Sequence, residues 1–238
     1  MKLWQMSNEG ELCRYEDLSE LAKIEPTEQF VLEDFAPKFV AAFRIACIDA
    51  LKEMAGRKLV VFHSAGYDSR VLGLCADDLL PDDAVWVCIA PEHQEFLAIA
   101  ERFYRPRRHI LAARPSRNGW VHALEFTMAE TGWRKDEIVT LQAGYFNEIF
   151  DCHKPGKPDI GWHPDGQRCG IVEWAQFYHH FKYAKVVGAY GVPAYYPILH
   201  RAPLEVLLGT QVELSKNLRK SVLQYVAPEL FAMPRGPV

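Results

Sequence analysis

No stretch of these 238 residues is apolar over transmembrane length, and the opening Met-Lys-Leu-Trp-Gln-Met-Ser carries no apolar core of the signal type. A cytoplasmic protein without membrane contact is the expectation. The six cysteines, Cys13, Cys47, Cys75, Cys88, Cys152 and Cys169, include no Cys-x-x-Cys pair. Cys47, Cys75 and Cys88 sit in apolar surroundings and read as small core residues in a reducing compartment. Net charge is only −4, so nothing global favours nucleic acid or an anionic membrane. Internal repeats and low-complexity tracts are also missing. What remains, 49% hydrophobic and 24% charged, is the composition of a soluble globular chain with material for one sizeable core.

The most informative run is Lys58 to Arg70. Four apolar residues, Leu59 to Phe62, stop at a loop of small and polar residues, Ser64 to Ser69, and a second apolar segment, Val71 to Ala76, follows. That order reads as a buried parallel strand, a tight turn and a helix start. Unpaired N–H groups at a helix start suit a phosphate, and the Ser64 and Ser69 hydroxyls add donors. Asp68 repels phosphate unless a divalent cation lies between them. The loop has neither the Gly-Lys-Ser/Thr of a Walker loop nor the three spaced glycines of a dinucleotide fingerprint. An ordinary strand-to-helix turn is the alternative reading.

Patterning along the rest of the chain alternates strands with helices. Residues 36–54 form an amphipathic helix that Gly56 ends. Buried strands are expected at Leu59–Phe62, Val85–Ile89, His109–Ala112 and Ile138–Leu141, with an extended segment at Val192–Ile198. Helices are expected at Glu92–Tyr104, Trp120–Glu130, Glu173–Ala189, Pro203–Gly209 and Ser215–Val226, and a long loop at 151–170. The implied fold is α/β, an open parallel sheet of about five strands flanked by helices, with ligands at the carboxyl ends of the strands. Residues 1–35 read as an N-terminal extension to a domain spanning 36–238.

Ser64-Ala-Gly-Tyr-Asp-Ser69 resembles the pyrophosphate-binding loop of the PP-loop ATP pyrophosphatases, Ser-Gly-Gly-x-Asp-Ser, with alanine at the first glycine. Ala65 is strained there if the position needs a positive φ. Within that group, the synthetase domain of asparagine synthetases and β-lactam synthetases is similar over about residues 36–228. The segment Glu92–Glu101 resembles its helix after the second strand. Val139–Phe150 resembles its strand and loop ending in Gly-x-Gly-Ala-Asp-Glu-x-Phe. Val192–His200 resembles its Ala-Arg-Val-Pro-Phe-Leu-Asp segment, and Lys216-Asn-Leu-Arg219 its Lys-x-x-Leu-Arg pattern, one residue shorter.

The resemblance implies a PP-loop (adenine nucleotide alpha hydrolase-like, Rossmann-like) fold and an enzyme that adenylates a carboxylate with ATP, releasing pyrophosphate, before an amine displaces AMP. It implies ATP and Mg²⁺ as ligands. Ser64, Gly66, Asp68 and Ser69 would hold pyrophosphate and its Mg²⁺, with Ala65 and Tyr67 in the same loop. His63, Ile89, Gln142 and Gly144 would lie against the nucleotide. Lys216 would neutralise charge in the transition state, with Glu148 and Arg219 as further catalytic candidates and Asn147 beside Asp68 at the metal. Arg70, where the family has a small residue, could meet a phosphate or a carboxylate. His63 could do the same or pack in the core.

Two further positions depart from the family. Its Asp-Glu pair is Asn147-Glu148 here, and neutral asparagine binds a cation more weakly. A further acidic residue falls at Gly144. The family's glutaminase domain needs an N-terminal cysteine nucleophile, whereas residue 2 is lysine and 35 residues are too few to form it. Nitrogen would come from ammonia, a substrate amine or a separate ammonia-supplying subunit. One rival keeps the fold and adenylates a nucleobase or tRNA carbonyl; the basic group Arg102, Arg105, Arg107, Arg108, His109, Arg114 and Arg117 favours it, the missing Cys-x-x-Cys and the pI of about 6.1 do not. Another is a nucleotide-binding protein that has lost its chemistry. Cys152, His153, His163 and Cys169 are zinc-type residues in one loop, but their spacing matches no standard finger. Tyr195 and Tyr196 could line a substrate pocket.

Overall fold

The computed structural model describes residues 2–6, 12–17, 21, 23–88, 93–106, 110–112, 119–144, 191–211 and 216–234. Its centre is a five-stranded parallel sheet built from β4 (Lys58–His63), β5 (Val85–Cys88), β6 (Ile110–Ala112), β7 (Ile138–Gln142) and β8 (Ala194–Tyr195). The spatial order is β6-β5-β4-β7-β8. The chain therefore starts in the middle at β4, steps outward to β6, and resumes on the other side at β7. The strand order reverses between β4 and β7, and ligands of open α/β sheets bind at such a point, beyond the carboxyl ends of the strands.

Alternation along β4 explains the two layers. Leu59 and Val61 face one core, shared with α1 (Leu32–Glu53), α2 (Tyr67–Ala76), α3 (His93–Phe103), α5 (Arg201–Gly209) and α6 (Lys216–Val226). Val60 and Phe62 face a smaller core under α4 (Gly119–Thr131), with Val85, Val87, Ala123, Leu124, Ile138 and Val192. Both faces of the strand are covered, as parallel strands require. In α1, Phe35, Phe39, Phe43, Ala46, Cys47 and Ala50 repeat at helical spacing and all are buried.

The α/β class and parallel sheet thus stand as expected. Differences lie at the edges. Helix α1 begins at Leu32, a turn earlier than the pattern suggests, with Pro37 on its exposed side. The extended segment at 192–198 is a strand only at Ala194–Tyr195, because Pro193 and Pro197 have no N–H for a ladder; a single 3₁₀ turn, Pro197–Leu199, follows. A short helix, α7 (Pro228–Ala232), lies beyond the last expected one. The 1–35 extension is only partly separate. Lys2–Met6 (β1) and Leu12–Asp17 (β2) form an antiparallel pair. Leu21 and Phe35, however, are in the main core, and Glu28–Gln29 (β3) pairs in parallel with Thr210–Gln211 (β9). The expected helix at Glu173–Ala189 and the loop at 151–170 lie outside the described residues. Among the described residues no helix is long and apolar enough to cross a membrane.

Candidate functional site

The loop at 64–66 leaves the carboxyl end of the central strand and opens directly into α2, beside the end of β7. It is tightly closed on itself. The Ser64 N–H donates to Ser69 Oγ at 3.1 Å, and the two hydroxyls lie 3.0 Å apart. Gly66 is the N-cap of α2, extended at φ −73° and ψ 167°, and has no side chain to satisfy the first helical N–H groups. Asp68 is in that first turn, where an acid suits the helix dipole.

Ala65 carries the strain anticipated from the sequence. It is the non-glycine residue with positive φ among those described, at 52°. The left-handed conformation costs an L-residue about 1–2 kcal/mol. Two buried side chains hold it. Its N–H donates to His63 Nδ1 at 2.9 Å, and its carbonyl accepts from Arg70 Nε at 3.0 Å.

His63 and Arg70 are both 0% exposed. Because Nδ1 of His63 accepts from Ala65, the proton sits on Nε2, which donates to the Tyr104 hydroxyl at 2.9 Å. Burial first, and the Arg70 charge second, lower its pKa to about 3, so the ring is neutral. It packs against Trp86, Phe96 and Tyr104. Burial likewise raises the Tyr104 hydroxyl well above its ordinary value. Tyr104 reaches His63 because residue 73 is glycine: a Cβ there would lie 2.0 Å from the hydroxyl.

One expectation changes here and one open alternative is selected. Arg70 does not face the loop's open side. Its guanidinium donates to the carbonyls of Ala65, Leu230 (2.8 Å), Phe231 (3.1 Å), Met233 (2.9 Å) and Pro234 (2.7 Å). This buried cation is thus held by backbone carbonyls of the loop and of the C-terminal segment. His63 braces the loop from beneath and packs in the core, the second of the two roles open to it.

Asp68 and Arg219, 151 positions apart, come together. Arg219 Nη1 donates to Asp68 Oδ2 at 2.9 Å and lies 2.8 Å from Oδ1, with the side chains 12% and 21% exposed. Lys216 is the first residue of α6, one turn before Arg219. Arg219 Nε is buried without a hydrogen-bond partner, an unused donor beside the loop. Tyr67 stacks on Phe231, with ring centroids 5.0 Å apart.

On the β7 side Gln142 is wholly buried, its Nε2 donating to Thr140 Oγ1 at 3.0 Å and its Oε1 without a hydrogen-bond partner. Among the described residues of that strand end, Ala143 and Gly144 are half-exposed. A Cβ on Gly144 would lie 2.9 Å from the ring of Tyr196. An acidic side chain there has no room, so its absence and the tyrosine go together. Tyr195 and Tyr196 are buried.

Ile89, Asn147 and Glu148 lie outside the described residues, as do Cys152, His153, His163 and Cys169. No three His, Cys, Asp or Glu among the described residues cluster as a metal site. A lone carboxylate such as Asp68 fits Mg²⁺ held jointly with substrate phosphates, its common mode of binding. The described members of the basic group are engaged: Arg102 pairs with Glu229, and Arg105 binds the Asp77 and Leu80 carbonyls. Cys47, Cys75 and Cys88 are buried thiols, and burial pushes that of Cys75 up to about 12.

Sequence reasoning missed Tyr104 and the carbonyls at 230–234. Gly73 was the one signal for the former, a helix-interior glycine that costs about 1 kcal/mol unless something needs the space. Compared with known proteins, the chain matches no family model and no curated protein.

Proposed function

We propose that this chain is an ATP-dependent, AMP- and pyrophosphate-forming adenylating enzyme of the asparagine-synthetase type, acting on a small-molecule carboxylate. One observation carries this reading: the Ser64–Ser69 loop stands at the strand-order reversal of a parallel sheet, and its Asp68 meets Arg219 of the helix that Lys216 begins. Sequence pattern and fold thereby converge on one place from residues 151 positions apart.

Each residue has a chemical task. The α2 N-terminus and the Ser64 and Ser69 hydroxyls receive phosphate oxygens. Asp68 would hold Mg²⁺, which would supply neutralisation of the charge on the leaving pyrophosphate. Arg219, which pairs with Asp68, would be placed to meet an anion beside it. A carboxylate oxygen attacks the α-phosphorus, and the bond to the β-phosphate oxygen breaks, releasing pyrophosphate. An amine nitrogen then attacks the acyl carbon, loses a proton, and expels AMP. Lys216 and Arg219 supply positive charge where these anions develop. The nitrogen is ammonia or an amine, delivered free or by a separate subunit. Nucleic acid is the less favoured substrate, since Arg102 and Arg105 are already paired.

A second reading, a nucleotide-binding protein without turnover, is favoured by strained Ala65 and by Tyr196 against Gly144. α-labelled ATP with Mg²⁺ and pools of carboxylates and amines separates the two. AMP with pyrophosphate, lost by about 100-fold or more in Asp68→Ala and Lys216→Ala, supports the enzyme. ADP with phosphate would sink the PP-loop assignment. ATP binding without turnover selects the second reading.

A further inference from the structure

Arg70 answers five carbonyls, and four belong to the C-terminal segment 230–234. The fifth belongs to Ala65, the strained residue of the loop. Tyr67, the first residue of α2, stacks on Phe231 and lies under the Arg70 guanidinium at 5.5 Å. A fully buried guanidinium is tolerable only when its donors are satisfied. The end of α7 satisfies them with carbonyls its own helix leaves open. The C-terminal segment thus fixes Arg70, and Arg70 fixes the carbonyl of Ala65. His63 holds the other polar group of that residue. Strained backbone persists where its surroundings over-determine it.

We propose, taking the loop to be a phosphate site as above, that Arg70 together with the segment Pro228–Pro234 is a positioning element that holds Ala65 left-handed and so presents the loop amides to the ligand. Arg70 is not a ligand of the nucleotide. Its role depends on residue 65 being alanine, because glycine adopts the left-handed conformation without help. A merely structural capping role for α7 has no such dependence.

The test is a double-mutant cycle on MgATP affinity by calorimetry, with Arg70→Met, Ala65→Gly and the double variant. Arg70→Met is expected to weaken MgATP about tenfold in the wild-type background, and less than about threefold in the Ala65→Gly background. The fall in thermal midpoint caused by Arg70→Met should be the same in both backgrounds. Equal affinity losses in both backgrounds, or no loss in either, would overturn the proposal. Phe231→Ala, which removes the ring stacked on Tyr67 and keeps the carbonyl that Arg70 holds, keeps the question open to experiment if Arg70→Met does not fold. It should weaken MgATP in the same direction and by less; unchanged affinity counts against the proposal. Should the wild type bind no MgATP, the phosphate-site reading fails by itself. The positioning role is then read from exchange of the Ala65 amide, about tenfold faster in Arg70→Met relative to the core amides of Val61 and Leu141. Uniform acceleration of all three would overturn it.

Discussion

At its N-terminal end α2 carries Asp68, paired with Arg219 in a half-buried contact; beyond its C-terminal end lie Asp77 and Asp78, answered by Arg105 and Arg44. The residue types are alike and their use is not. At the C-terminal end the arginines find their acceptors within the protein. Arg44 grips both oxygens of Asp78 at 2.6 Å and also the Cys75 carbonyl, while Arg105 binds the Asp77 and Leu80 carbonyls. These cations offset acids that sit unfavourably at a helix C-terminus. A cleft of about 420 Å³ lies there, between α1, α2, α3 and α7, lined by Arg44, Asp77, Asp78, Tyr104 and Glu229 among others. The arginines of the N-terminal end, Arg70 and Arg219, also have acceptors within the protein, and that end differs in its strain and in one unmatched donor. Ala65 is strained, Arg219 Nε is unmatched, and two cations and a histidine are buried or half-buried around one short loop. Strain and an unmatched donor, rather than concavity, are what the proposed site rests on.

The mid-point of α2 is where the comparison breaks most sharply. Gly73→Ala would put a methyl 2.0 Å from the Tyr104 hydroxyl and 2.3 Å from its ring. Tyr104 cannot yield cheaply, since it stacks on Trp86 at 5.1 Å and holds His63. Overpacking of this kind costs roughly 1–3 kcal/mol, and the upper half is expected here. Urea unfolding measures it. A loss below about 0.5 kcal/mol would mean that the ring swings aside and that His63 does not depend on it.

Acid sharpens the same contrast, because the buried histidine is at the N-terminal end alone. The folded pKa of His63, about 3, lies below its ordinary value of 6.5. Between those values the unfolded chain holds a proton that the folded chain refuses. The contribution is therefore intact above pH 6.5 and is lost as pH falls towards 3, at up to about 1.4 kcal/mol per unit. His63→Asn keeps an acceptor for the Ala65 N–H and removes the titration. Its stability should fall less steeply than the wild type's between about pH 6 and 4. Equal slopes would show that His63 does not govern the acid limb.

Legibility in the sequence follows the range of the interactions. The loop, α2 and the parallel strands are readable because apolar runs and a turn lie within about a dozen residues of one another. The strain at Ala65 is readable as a condition, since alanine stands where a glycine is expected. The fates of Arg70 and His63 are not. An arginine after a phosphate-type loop reads as a ligand, and only packing shows that carbonyls 160 to 164 residues away claim it. His63 sits on the face that alternation gives to the core, yet its partner Tyr104 is 41 residues on. Likewise the apolar pattern overextends β8, because burial masks the two prolines that deny it a ladder. The pairing of Asp68 with Arg219 is invisible as a contact, although each residue stands out separately.

The smallest effect belongs to the C-terminal end. Arg44 and Asp78 make a bidentate pair at 2.6 Å, which holds the Asp78 carboxyl below its usual range, chiefly through the hydrogen bond from Arg44. Their side chains are 37% and 57% exposed, so water screens most of the attraction. Exposed pairs contribute about 0–1 kcal/mol, and ideal geometry argues only for the top of that range. Arg44→Ala should cost no more than about 1 kcal/mol in low salt, and less in about 1 M salt, where the Debye length is only about 3 Å. AMP formation from ATP should stay within about twofold of wild type, because the change leaves the loop, its strain and the Asp68–Arg219 pair untouched. A large loss of activity with intact folding would place the chemistry in the cleft and reverse the assignment of the two ends.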